Sequence, residues 1–133
     1  MTKTKLQIEY DYNFFLAGIV CSDPDYRLCW KLNTLLNLRL TKAGDHIVEQ
    51  SRHSLFSYVN EELFREYYML ANKGNQRYLV EELRHIDYFL IVKGALEADE
   101  QRSMLERIKK QDKVSAAFLI DVPSLKAKQN LLL

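Results

Sequence analysis

Ile86-Asp87-Tyr88-Phe89-Leu90-Ile91-Val92-Lys93-Gly94 reads as the central strand of an α+β domain. Tyr88 to Val92 is an unbroken apolar run of aromatic and branched residues, ended by Gly94. A half-exposed strand alternates apolar with polar, whereas a strand covered on both faces does not. This run therefore belongs in the interior of a sheet, and the remaining elements are expected to cover it.

The chain has 133 residues, 47% of them hydrophobic and 28% charged, with a formal net charge of +1. That is the size and composition of one globular domain, here 1–133, with enough apolar residues for a core. So small a net charge gives no global attraction to nucleic acid or to an anionic membrane. No apolar run approaches the ~18 residues of a membrane span. Met1-Thr2-Lys3-Thr4-Lys5 leads into Leu6-Gln7-Ile8-Glu9 rather than into the apolar core of a signal peptide. The expected location is the cytoplasm. Cys21 and Cys29 are expected to be free thiols there; a disulfide is the alternative, and two cysteines without neighbouring ligands make no zinc site.

Leu6, Ile8 and Tyr10 alternate with polar residues and predict a short strand, and Phe14 to Val20 predicts a second. Gly18 inside it marks either a bulge or a close approach of another element. Ser22-Asp23-Pro24 predicts a helix start, with Ser22 or Asp23 as the cap, running to about Asn37. At roughly 100° per residue, Leu28, Cys29, Leu32, Leu35 and Leu36 form one stripe, and Tyr26, Trp30, Asn33 and Asn37 form another. Either both stripes are covered within the chain, or Tyr26, Trp30 and Asn33 face a partner, for which tyrosine and tryptophan are favoured anchors. Thr41 to Arg52 reads as a loop with a turn at Gly44-Asp45, and Ser54 to Val59 as a strand.

Asn60 to Lys73 has two readings: a helix capped by Asn60 and ended by Gly74, or a turn at Asn60-Glu61-Glu62 followed by a strand from Phe64 to Leu70. Val80 to His85 is a connector or a single helical turn. After the central strand, Ala95 to Lys110 predicts a second helix, in which Glu106 and Lys110 can pair at i, i+4. Ser115 to Ile120 predicts a last strand inside the sheet. Strand, helix and strand over 86–120 make a βαβ unit. Pro123-Ser124 opens a short helical tail that ends in Leu131-Leu132-Leu133.

Val80-Glu81-Glu82-Leu83-Arg84-His85-Ile86-Asp87-Tyr88 resembles the naming motif of the bacterial IPExxxVDY family. Glu82, Asp87 and Tyr88 match it, Val80 and Ile86 are conservative replacements, and Glu81 stands where the motif has proline. Tyr26-Arg27-Leu28-Cys29-Trp30 with Asn33, the run Asp87-Tyr88-Phe89-Leu90 and the tail from Ser124 to Leu131 are similar to family features as well. The resemblance covers most of the chain. It implies one domain and no established activity. It also implies a strand where this chain has Tyr67 to Asn72, which selects the strand reading for 60–73.

Glu81, Glu82 and Asp87 are carboxylates just ahead of the central strand. Converging, Glu82 and Asp87 would serve as acid and base or hold a cation; apart, an acid at a connector accepts backbone N–H bonds and fixes a turn. His46, Glu49 and His53 have zinc-ligand chemistry but no metalloprotease spacing. No nucleophile motif and no glycine-rich phosphate loop occurs. Arg102, Arg107, Lys109, Lys110 and Lys113 gather near the end of the second helix, where cations complement the helix dipole.

The expected architecture is a two-layer α+β domain: a mixed sheet, two main helices on one face and a short C-terminal helical tail. The expected function is that of a non-enzymatic interaction module using Tyr26, Trp30 and Asn33 and the tail, as a homo-oligomer or with a protein partner, without cofactor or metal. A small-ligand binder or enzyme using Glu82 and Asp87 is the first alternative. A weak nucleic-acid contact through the basic helix end is the second.

Overall fold

The computed structural model describes residues 11–133. The strand predicted over Leu6 to Tyr10 lies outside the described residues. Among the described residues six strands form one sheet: β1 (Phe15–Cys21), β2 (Thr41–Val48), β3 (Ser51–Asn60), β4 (Arg65–Ala71), β5 (Tyr88–Lys93) and β6 (Val114–Leu119). The order is β2-β3-β4-β5-β1-β6. β5 is an interior strand, as its sequence demands, paired with β4 on one side and β1 on the other. Phe89, Leu90, Ile91 and Val92 are all fully buried.

Two helices, α1 (Asp25–Leu36) and α2 (Ala98–Lys109), complete the α+β fold. Leu28 and Leu32 of α1 and Met104 and Ile108 of α2 pack with Ala17, Ile19, Met69, Leu90 and Val92. These strand residues alternate, so both helices lie against one face of the sheet. The other alternating set, Leu16, Leu70, Phe89 and Ile91, packs against Leu79, Val80 and Ile86 and against Val122, Leu125 and Leu131 of the tail. The second face thus carries a cover of short 3₁₀ turns, Glu81–Leu83, Val122–Ser124 and Lys128–Leu131. Each fully buried leucine, isoleucine or phenylalanine contributes about 1.5–3 kcal/mol by leaving water, so both faces add to stability. Leu131 is fully buried while Leu133 stays exposed. The tail therefore folds back on its own chain, chiefly through Leu125 and Leu131.

Several elements differ from expectation. Every neighbouring strand pair is antiparallel, where a mixed sheet was expected. The strand–helix–strand unit is present, but β1 runs between β5 and β6, antiparallel to both. Among the described residues β6 pairs only with β1 and lies at the end of the strand order, where an interior position was expected: small apolar residues report that a face is covered, not that both edges are paired. The segment read as a loop, Thr41 to Arg52, is the hairpin of β2 and the start of β3. Its turn is Glu49-Gln50, both at positive φ. That is the two-residue hairpin geometry usually signalled by asparagine and glycine, and these residues gave no such signal. Gly44-Asp45 sits instead at a register shift within β2.

Helix α1 begins one residue after Pro24 without a side-chain cap. Asp23, expected as a cap, is buried and pairs with Lys31 at 2.6 Å. Helix α2 begins at Ala98 rather than Ala95, since the Ala95 and Leu96 carbonyls accept bonds from Arg65 and Gln101 side chains. Its Glu106 pairs with Lys109, not Lys110. At Gly18 the close approach holds: a Cβ there would lie 2.7 Å from Ile86 and 2.8 Å from Ile120.

Candidate interaction surface

Glu82 and Asp87 are engaged with different parts of the backbone. Both Glu82 carboxylate oxygens accept from Lys126 N–H at 3.0 and 3.1 Å, and Oε1 also accepts from Ala127 N–H at 3.1 Å. Glu82 thereby anchors the tail across the second face. Asp87 Oδ2 accepts from Cys21 N–H at 2.8 Å, closing the end of β1 after its pairing with β5. The Asp87 backbone bonds Ile19 on one side and Asn72 on the other. Glu81 turns outward to Arg84 and to Tyr78 N–H. The hydroxyl of Tyr88 donates to Asp23 carbonyl at 2.7 Å. Together with buried Val80 and Ile86, the residues that carry the IPExxxVDY resemblance are placed where they build the fold.

The buried Asn72, unremarked in the sequence, organises the same segment. Its Nδ2 donates to Leu83 and Ile86 carbonyls at 2.8 and 2.9 Å, and its Oδ1 accepts from Val80 N–H at 2.9 Å. Its backbone bonds Asp87 and Leu79. One residue, through its side chain and its backbone, therefore ties the cover segment from 79 to 87 to the end of β4.

The histidines face each other across β2 and β3. His46 Nε2 lies 2.7 Å from the Asn130 carbonyl and donates to it. His53 is fully buried, with Nδ1 donating to the Ala71 carbonyl at 3.1 Å and Nε2 without a partner. No cluster of three metal-ligating side chains occurs among the described residues. Burial, more than the nearby His46, pushes the His53 pKa below its ordinary value of 6.5. The unfolded chain then binds more protons than the folded one below that pH. Folding stability is expected to hold above about pH 6.5 and to fall as the pH drops toward the depressed folded value. Urea unfolding of wild type and His53→Leu between pH 5 and 7 checks this: the variant should show the shallower slope, and equal slopes would refute the assignment.

Both cysteines are free and buried. Burial raises the Cys29 thiol to about 11, and burial likewise raises Cys21, so both stay protonated near neutral pH, the unreactive form. Of the basic residues near the end of α2, Arg102 pairs with Asp99, Lys109 with Glu106, and Arg107 donates to the Leu35 carbonyl. No helix among the described residues is long and apolar enough to cross a membrane.

The second stripe of α1 divides. Asn33 is turned to local structure: its Nδ2 donates to the Leu40 carbonyl at 3.1 Å and its Oδ1 accepts from Leu40 N–H at 2.9 Å. With Asn37 at φ 55° as the helix C-cap, this fixes the exit from α1 into β2. Tyr26 and Trp30, by contrast, are 62% and 66% exposed. Lying one helical turn apart, they line a shallow depression of about 460 Å³ together with Arg27. Arg27 is exposed and makes no ion pair among the described residues.

A further apolar feature was missed in the sequence. The hairpin between β3 and β4 closes from Asn60 to Arg65, so Leu63 and Phe64 belong to the turn and not to the strand expected from Phe64 onward. Phe64 is 86% exposed and has φ 54°. Asn60 Oδ1 accepts from Leu63 N–H at 3.1 Å, and Phe64 N–H reaches the Glu61 carbonyl. This is one capped turn of helix-like chain, which explains why the local sequence also reads as a helix start. Compared with known proteins, the chain matches no protein-family model and no curated protein.

Proposed function

We propose that the protein is a non-enzymatic interaction module whose binding surface is the Tyr26–Arg27–Trp30 face of α1. The observation that carries this reading is the exposure of both aromatic rings on a helix whose opposite stripe is buried. Large aromatics pack into a core or anchor a partner; covering two neighbouring rings by association removes apolar area from water at about 25 cal/mol per Å². Glu82 and Asp87 support the same reading from the other side, since their carboxylates are engaged in backbone hydrogen bonds that hold the tail and β1. Membership of the IPExxxVDY family is proposed on the residues quoted above, and it assigns no activity.

Sedimentation velocity over a concentration series tests the reading. Wild type is expected to associate with rising concentration, and Tyr26→Ala/Trp30→Ala to weaken that association at least about tenfold, since aromatic anchors dominate such interfaces. The unfolding midpoint should stay within roughly 0.5 kcal/mol of wild type, because exposed side chains contribute little to folding. Association that the double variant leaves intact would remove α1 as the surface.

A further inference from the structure

The base of the β3–β4 hairpin turn is tied to β5's exit and to α2 through Arg65, while the turn displays an apolar side chain to water. The guanidinium of Arg65 grips both Glu100 oxygens at 2.5 and 2.8 Å, and its Nε donates to the Ala95 carbonyl at 2.8 Å. Gly94 lets the hairpin lie directly on the exit of β5: a Cβ there would stand 2.4 Å from the Phe64 carbonyl. A rigid knob loses little conformational freedom on binding, so its contacts translate into affinity. Around the knob, Leu63 is exposed, and Glu61 and Glu62 are exposed carboxylates without an ion pair among the described residues.

Tyr26, Arg27 and Trp30 present the complementary chemistry: two exposed aromatic rings and a cation with no ion pair among the described residues. The depression is shallow and open, so an incoming Phe64 ring would stack on the exposed faces of Tyr26 and Trp30 and not be enclosed. We infer that the occupant of the α1 face is the β3–β4 hairpin tip of a second copy of this chain, with Phe64 against Tyr26 and Trp30 and Glu61 or Glu62 against Arg27. The inference rests on the α1 face being the binding surface and names its partner. The two contacting patches differ, so the interface is heterologous and propagates head to tail into a ring or an open chain.

Mixing two variants tests this, with circular dichroism confirming that each is folded. Trp30→Ala keeps the knob and loses the socket; Phe64→Ala keeps the socket and loses the knob. Each alone should remain monomeric at concentrations where wild type associates, at least about tenfold weaker in self-affinity. Mixed in equal amounts, they should form a heterodimer that grows no further, because only one intact interface remains. Arg27→Glu and Glu61→Lys/Glu62→Lys should each stay monomeric alone, like charges then facing each other, and their mixture should grow as wild type does, in alternating copies, because both charge pairs are restored. A wild-type monomer at all concentrations, or mixed variants that stay apart, would overturn the second copy as occupant. If Trp30→Ala abolishes association and Phe64→Ala does not, the hairpin is excluded while the α1 face stands. If neither variant changes it, both readings fall.

Discussion

Asn72→Ala is expected to lower folding stability by roughly 3–5 kcal/mol, among the largest effects of any polar substitution in this chain. The side chain is fully buried and satisfies three backbone groups at once: Val80 N–H and the carbonyls of Leu83 and Ile86. Alanine leaves all three unpaired, and each buried unpaired group costs about 1–3 kcal/mol. The effect should not stay local. The segment from 79 to 87 carries Leu79, Val80 and Ile86 into the second core and leads directly into β5. Asn72→Asp retains an acceptor for Val80 but loses both donors, so it should be no milder. Urea unfolding of the three proteins checks this; a loss below about 1 kcal/mol for alanine would show that the cover segment is held by its apolar contacts alone.

Gly94→Ala is expected to cost roughly 2–4 kcal/mol. Its φ is 115°, a conformation that side chains rarely adopt, and the added Cβ would meet the backbone carbonyl of Phe64 at 2.4 Å. A backbone atom of a hairpin fixed by Arg65 and Glu100 has little room to retreat. Gly44→Ala is the control: φ is also positive, at 84°, but nothing lies within 4 Å of the added atom. It should show strain without the clash and cost about half as much or less. Equal losses for the two would mean that the hairpin moves freely off β5, which would also weaken the case for a preorganised knob. Thermal unfolding of both variants decides between these outcomes.

The interior position of β5 was legible because an unbroken apolar run needs cover on both faces, and Tyr88 to Val92 received it. α1, α2 and the 3₁₀ turn after Val80 were legible through helical spacing and their flanking signals. The β2–β3 hairpin was not, because Glu49 and Gln50 adopt positive φ without the residue types that usually favour it. The place of β6 at the end of the described strand order was hidden because strand order is set by long-range pairing. On the surface, the spacing of Tyr26 and Trp30 put both on one side of α1, and both are exposed in the structure. Asn33 shared the spacing but not the exposure, since a side-chain amide near a helix end finds backbone partners. Phe64 escaped notice because a turn displaying phenylalanine has the same local pattern as a strand entering a core. Asn72 escaped because nothing local distinguishes a buried, fully bonded asparagine from a solvated one.

Native mass spectrometry of gently purified wild-type protein tests the central claim most directly, that this chain acts through its exposed aromatic surface and not through its carboxylates. The expected result is a concentration-dependent series of assemblies whose masses are whole multiples of the 15.7 kDa chain, with no added small-molecule mass. A monomer at every concentration that carries a bound metabolite or metal, and releases it on Glu82→Ala or Asp87→Asn substitution, would contradict it.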